Sequence, residues 1–291
     1  MNKKTIFLTF IVFIFALSAH AQLLWKVSGN GLLKPSYLFG THHLIEKEQI
    51  KNFDNIIALV GQTDAVVGEM DMSNMLDLQI KMMKGVMMKD TTLKDLLSEA
   101  DYTLVDNEFK DLMGIGLNKL GKMKPMMLST MYALLTYTKI NNLKKQPEAV
   151  DVLFQKKAKK EKKAVIGLET VEQQIDIMFN SIPLQRQAEQ LVKGVKEKDR
   201  GVELLKKLNV AYLAGDLVSI EGLNKEDNDM TAEEKTILIE NRNNNWIKQL
   251  ATLLPGKSCF IAVGCMHLVG ETGLINQLKK AGYQVEANES F

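Results

Sequence analysis

The stretch Tyr37-Leu38-Phe39-Gly40-Thr41-His42-His43 carries three apolar residues into a glycine and then a histidine pair. It reads as a short buried strand, Tyr37 to Phe39, that stops at Gly40. Glycine there lets the backbone turn or lets another group come close. The same grammar returns near the C-terminus, where Cys259-Phe260-Ile261-Ala262-Val263 runs into Gly264-Cys265-Met266-His267. Two apolar strands therefore each deliver a Gly-x-x-His, at His43 and at His267. The chain has four histidines, and His20 lies in a leader-like segment, so two of the other three share one local frame.

Outward from this pair the chain reads as alternating strands and helices. Leu23 to Val27 is a strand, Ser28-Gly29-Asn30-Gly31 a turn, and the two form a hairpin that sets Trp25 beside the Tyr37 strand. Ile50, Phe53, Ile56, Ile57 and Val60 have helical spacing. Asp64 to Asp71 is a third strand, with Glu69 just beyond Gly68. Ala164 to Glu169 is a fourth, again closing on a glycine and an acid. Thr170 then reads as an N-cap with Gln173 at the capping-box position. Residues 73–160 are mostly helical, and 183–222 are amphipathic helix broken around Gly215. Thr231-Ala232-Glu233-Glu234 starts a long helix through Arg242, Trp246 and Leu250 that ends at Pro255-Gly256. Leu274, Ile275 and Leu278 mark another helix, and Tyr283 to Val285 a last strand. Neither end of the chain has enough strands alone. The expected fold is α/β: a single domain over residues 22–291, with a small mixed sheet built from strands of both chain ends and a large Met-rich helical insertion.

Residues 1–21 read as a signal peptide: Lys3 and Lys4, an apolar stretch from Thr5 to Leu17, and Ala19-His20-Ala21 as the cleavage site. The apolar run is too short for a comfortable membrane span. The expectation is a periplasmic or secreted protein with no stable membrane insertion after cleavage; an uncleaved leader acting as an anchor is the alternative. The chain holds 37 Lys and Arg against 35 Asp and Glu, and two of the lysines belong to the leader. The remaining balance lacks the basic surface that a nucleic-acid partner requires. Cys259 and Cys265 are the only cysteines. At about 3.3 Å per residue along a strand they lie beyond disulfide reach, which predicts two free buried thiols. Twelve of the 16 methionines fall between Met70 and Met131. They read as helix core, with an adaptable partner groove or a soft-metal site as functional alternatives. The lysines from Lys156 to Lys163 read as a solvated helix face.

His43, Glu69 and His267 each stand beyond the glycine of an apolar strand. Strands lying side by side would bring all three to one sheet edge, where open α/β sheets place their sites. Two imidazoles and a carboxylate suit a divalent metal, with positions left for water and substrate. His42 would orient a ligand or bind directly. Arg242 and Trp246 share a helix face, and Arg242 would hold a carboxylate or steady an oxyanion. No His-Glu-x-x-His motif is present.

These residues resemble the TraB/GumN family, related to the Tiki group of metal-dependent proteases. The matching stretches are YLFGTHH, VVGEMD, KMKP, AVIGLETVEQQ, AGDL, ENRNNNW and FIAVGCMHLVGETGLINQL, in family order. The resemblance implies that the family histidines are His43 and His267, its acid Glu69 and its helix arginine Arg242. It also places Glu169 on the acid of the Gly-Leu-Glu-Thr segment and Asp151 where an aspartate is frequent. Cys265 and Met266 depart from the small residues usual there. The implied function is a metal-dependent hydrolase acting on a peptide or protein substrate. A divalent ion (Mn, Co or Zn) would be held by His43, Glu69 and His267, Arg242 would steady negative charge, and Glu69 or Glu169 would manage the proton. A non-catalytic binding or accessory protein with a Met-rich partner groove is the alternative.

Overall fold

The computed structural model describes residues 22–145, 147–226 and 229–288; the leader expected over 1–21 lies outside them. Strands β1 (Leu24–Ser28), β2 (Ser36–Thr41), β3 (Ala65–Met70), β4 (Ala164–Glu169), β5 (Cys259–Gly264) and β6 (Gln284–Ala287) form one mixed sheet in the order β4-β3-β5-β2-β1-β6. Strands β4, β3, β5 and β2 run parallel, and β1 pairs antiparallel with both β2 and β6. The first and last strands of the chain are thus neighbours, as the scarcity of strands at either end required.

Both faces of the parallel strands are covered, which explains their almost uninterrupted apolar sequences. Successive residues go to opposite faces. Leu38, Val67 and Ile261 meet Trp246 and Leu250 on one side. Phe39, Val66 and Phe260 meet Phe154 and Tyr212 on the other. The helix Val150–Lys160 supplies Phe154, and the helix Asn241–Leu253 supplies Trp246. The insertion builds a separate core from Leu93, Val105, Phe109, Leu117 and Leu128, joined by Leu191 of a helix beyond β4. Its methionines divide: Met82, Met123, Met126 and Met127 pack around Phe179, whereas Met75 and Met83 are exposed. Cys259 and Cys265 are free and buried. Among the described residues no helix is long and apolar enough to cross a membrane.

Three local readings are corrected. The strand does not stop at Gly40 but continues to Thr41. A Cβ on Gly40 would lie 3.1 Å from Leu268 and 3.2 Å from the Cys265 backbone, so the glycine serves close packing rather than a turn. The helix expected from Thr231 is interrupted by a wide π turn at Thr236–Glu240. The stretch 183–222 breaks at Glu197 as well as near Gly215, giving helices Leu184–Lys196, Lys198–Leu213 and Leu217–Glu226.

Because four strands are parallel, their C-terminal ends share one edge. Gly167 sits there at the β3–β4 contact, where an added Cβ would fall 2.6 Å from the Asp71 amide nitrogen and 3.0 Å from the Glu169 carbonyl oxygen. Main-chain atoms cannot rotate away, so Gly167→Ala is expected to cost about 1–3 kcal/mol in urea unfolding. Gly222, inside the helix Leu217–Glu226 with nothing within 4 Å of its added Cβ, is the contrast. There alanine is expected to stabilise by up to about 1 kcal/mol.

Candidate functional site

The C-terminal edge of the sheet gathers Glu69 from β3, Glu169 from β4, and His267 from the single turn Cys265–His267 that follows β5. The helix Asn241–Leu253 brings Arg242 over this edge. Arg242, Trp246 and Gln249 lie on one helix face. Gln249 docks the helix by donating to the Leu168 carbonyl at 2.9 Å.

Arg242 is the centre of the cluster. Its Nε donates to Glu169 Oε1 at 2.8 Å, and Nη2 to Glu69 Oε2 at 2.6 Å and Glu169 Oε2 at 3.0 Å. Nη1 reaches the Leu238 carbonyl at 3.3 Å and His267 Nε2 at 3.1 Å. The Leu238 carbonyl belongs to the π turn, the kind of local widening that recurs at functional sites. A guanidinium has five N–H groups, and each has a partner here. The ring of Trp246 underlies the cation, 4.7 Å from Cζ to centroid, and its indole N–H donates to Glu169 Oε1 at 3.0 Å.

The protonation state of His267 follows from its neighbours. Asn243 Nδ2 donates to the carbonyls of His267 and Thr272, which turns its Oδ1 toward His267 Nδ1 at 2.7 Å. Nδ1 therefore carries the proton, and the Nε2 lone pair receives Arg242. Burial, helped by the Arg242 charge and opposed by Glu69, pulls the His267 pKa down to about 4. Glu69 is held in the opposite sense. Burial alone would raise its pKa, but the Arg242 charge and the Gly264 N–H at 2.9 Å outweigh it and keep the carboxylate ionised. About 21 % of the Glu69 side chain remains exposed, against 6 % for Glu169.

The two Gly-x-x-His frames are not equivalent. The β2–β5 register sets Gly40 opposite Val263 and Thr41 opposite Gly264, an offset of one residue. His267 turns inward, while His43 stays 68 % exposed, its Nδ1 3.9 Å from Asp151 Oδ1. Asp151 is largely buried. Burial raises its pKa, the nearby His43 lowers it, and the charge of Glu69 raises it. His42 is held by its Nδ1, which accepts the Leu44 N–H at 3.2 Å, and by its ring, which packs edge-on to Tyr212, while its Nε2 is buried without a hydrogen-bond partner. Burial, followed by the neighbouring His43, pulls its pKa to about 4.

A divalent ion fits this arrangement poorly. Among the described residues no three His, Cys, Asp or Glu side chains are grouped to hold one ion. Glu69 Oε1 and His267 Nε2 stand 3.9 Å apart, but the imidazole lone pair is already engaged by a cation. His43 belongs to the Asp151 pair instead. Arg242 likewise has no N–H left for a substrate and acts on the site through the groups it holds. Two positioning residues were not singled out from sequence. Gln174 donates to Glu69 at 3.3 Å and Glu169 at 3.5 Å, and Asn243 fixes His267. The capping box at Thr170 sets the first, and the adjacency of Asn243 to Arg242 was the only signal for the second.

The profile of the TraB/PrgY/gumN family matches residues 23–287, and the chain belongs to that family. No curated protein and no solved structure matches it.

His42, His267 and Glu69 all have folded-state pKa values below their ordinary ones. The unfolded chain takes up their protons more readily, so the stability tied to the two histidines is complete above about pH 6.5 and is lost as pH falls toward 4, whereas that tied to Glu69 is lost only below about pH 4.5. Asp151, with a raised value, works weakly in the other direction. Unfolding free energy, measured by urea titration, is expected to drop by about 2 kcal/mol per buried histidine between pH 7 and pH 5. His267→Gln is expected to remove about half of that pH dependence.

Proposed function

We propose that this member of the TraB/PrgY/gumN family is an exported hydrolase of peptide or related acyl bonds, in which Glu69 orients a water and His43 takes its proton. One observation carries the reading: the sheet edge that presents an ionised carboxylate clamped by a fully engaged arginine also presents, two residues beyond β2, an exposed imidazole 3.9 Å from the Asp151 carboxylate. Held ionised by Arg242 and the Gly264 N–H, Glu69 is a weak base but a fixed acceptor for a water proton. His43, with Asp151 orienting its ring, is the mobile proton carrier. It would accept the proton as the water attacks the carbonyl carbon and return it to the departing amine or alcohol. A protein nucleophile is a poor alternative, since burial pushes both cysteine thiols up to about 12. Glu169, shielded under Trp246 and Arg242, supports the clamp and does not carry the proton. The divalent ion that the sequence resemblance implies enters no step, because Arg242 already engages the lone pair that would bind it. Export rests on the charged, apolar and small-residue succession of residues 1–21.

A second reading has one observation in its favour. The helix Met75–Gly85 buries none of its residues and exposes Met75, Leu76, Ile80 and Met83. An apolar, methionine-bearing surface of this kind suits a partner protein, and a binding or accessory role would use it without catalysis.

Purified protein assayed against a peptide library separates the two readings. Hydrolysis is expected, with His43→Ala and Asp151→Asn each lowering kcat/KM by roughly 10²–10⁴-fold. His43→Ala is expected to leave the melting temperature unchanged, as its ring is exposed. Absence of hydrolysis across the library, or wild-type rates in His43→Ala, would refute the hydrolase reading.

A further inference from the structure

The insertion and the helices that follow it enclose a second feature that the hydrolytic reading does not use. A cavity of about 390 Å³ lies between the helix Pro125–Ile140 and the pair Leu184–Lys196 and Lys198–Leu213. That volume is in the range of small-molecule sites. Its walls are mainly aliphatic and aromatic, and Leu44 and Met266, the sequence neighbours of His43 and His267, form part of them.

One observation points to a ligand: Gln190 Oε1 and Asn209 Oδ1, on two lining residues, are buried with no hydrogen-bond partner. Gly194 and Gly201 also line the cavity, at exposed helix positions where a Cβ would meet nothing within 4 Å. The Gln190 amide is oriented by its nitrogen, which donates to the Asp229 carbonyl and to Glu234 Oε2, each at 3.3 Å. Its oxygen is left as an unmatched acceptor. Buried acceptors without donors are rare in folded proteins because each forfeits a hydrogen bond it had with water.

We propose that this cavity binds a small, uncharged, predominantly apolar molecule that carries N–H or O–H donors, with the apolar body against the helices and a donor on Asn209. Both oxygens are closed to solvent, so binding includes a rotation of the Asn209 side chain that turns its oxygen toward the ligand, while the Gln190 amide stays held by Asp229 and Glu234. The site stands independently of the hydrolase reading, since none of its polar groups belongs to the Arg242 cluster.

N-phenyl-1-naphthylamine, an uncharged aromatic with one N–H, is a suitable probe because its fluorescence rises on entering apolar surroundings. Titration of the purified protein is expected to show saturable enhancement at one site per chain. Gly194→Phe and Gly201→Phe, one on each helix, are each expected to weaken binding at least tenfold while the far-ultraviolet circular dichroism stays unchanged. Asn209→Leu is expected to weaken the probe more than its N-methylated analogue, which lacks the donor. Absence of saturable enhancement would overturn the proposal. So would enhancement that survives both phenylalanine variants, which would place the probe on a surface such as the exposed helix Met75–Gly85. Equal weakening of the two probes by Asn209→Leu would overturn the assignment of donors to the ligand.

Discussion

A buried guanidinium that spends every N–H on protein partners is the constraint from which the site follows. Arg242 is 5 % exposed, and a cation so placed is tolerated only when paired and hydrogen-bonded. Its partners come from β3, β4, the turn after β5 and the π turn of its own helix. One side chain thus closes the edge where four parallel strands end. Such an ion cluster is not a large source of stability, since the gain is offset by desolvation of each charge. Its effect is specificity: removing one member leaves the others as buried, unmatched groups, so strand ends and helix must come together in a single way.

The electrostatic division of the site follows from that closure. Inside, the guanidinium and burial keep His267 neutral, while the guanidinium and a backbone amide keep Glu69 charged. His43 and Asp151 stand at the same sheet edge, beyond the end of β2. The β2–β5 register is offset by one residue and the chain continues differently after each strand: His267 lies in the turn Cys265–His267 and goes inward, while His43 stays at the surface.

Much of the fold was legible in the residue pattern. Apolar runs ending at glycine marked four strands, Thr170 and Thr231 announced their helices through capping boxes, and the shortage of strands at either end demanded that they pair. The convergence of Glu69 and His267 was also legible, because strand-end position constrains where a side chain can go, whereas Glu169 entered the site only through the family resemblance. What the pattern did not carry was orientation. Two identical Gly-x-x-His frames suggested two equivalent ligands, yet register and the guanidinium between the acids separated them. The function of Gly40 was likewise ambiguous until Leu268 and Cys265 were seen packed over it. The π turn, which sets the reach of Arg242, has no composition signal in Thr236–Glu240. The methionine-rich insertion split between core and surface because spacing along a helix does not say whether a neighbour will cover it.

The protonation state of His267 tests the central claim most directly, since it reports the Arg242 contact from the far end. Proton–nitrogen correlation spectra of ¹⁵N-histidine-labelled protein resolve the two ring nitrogens. The account predicts a neutral ring with the proton on Nδ1 that persists well below pH 6. A ring that titrates near the ordinary histidine value, or that carries its proton on Nε2, would contradict it.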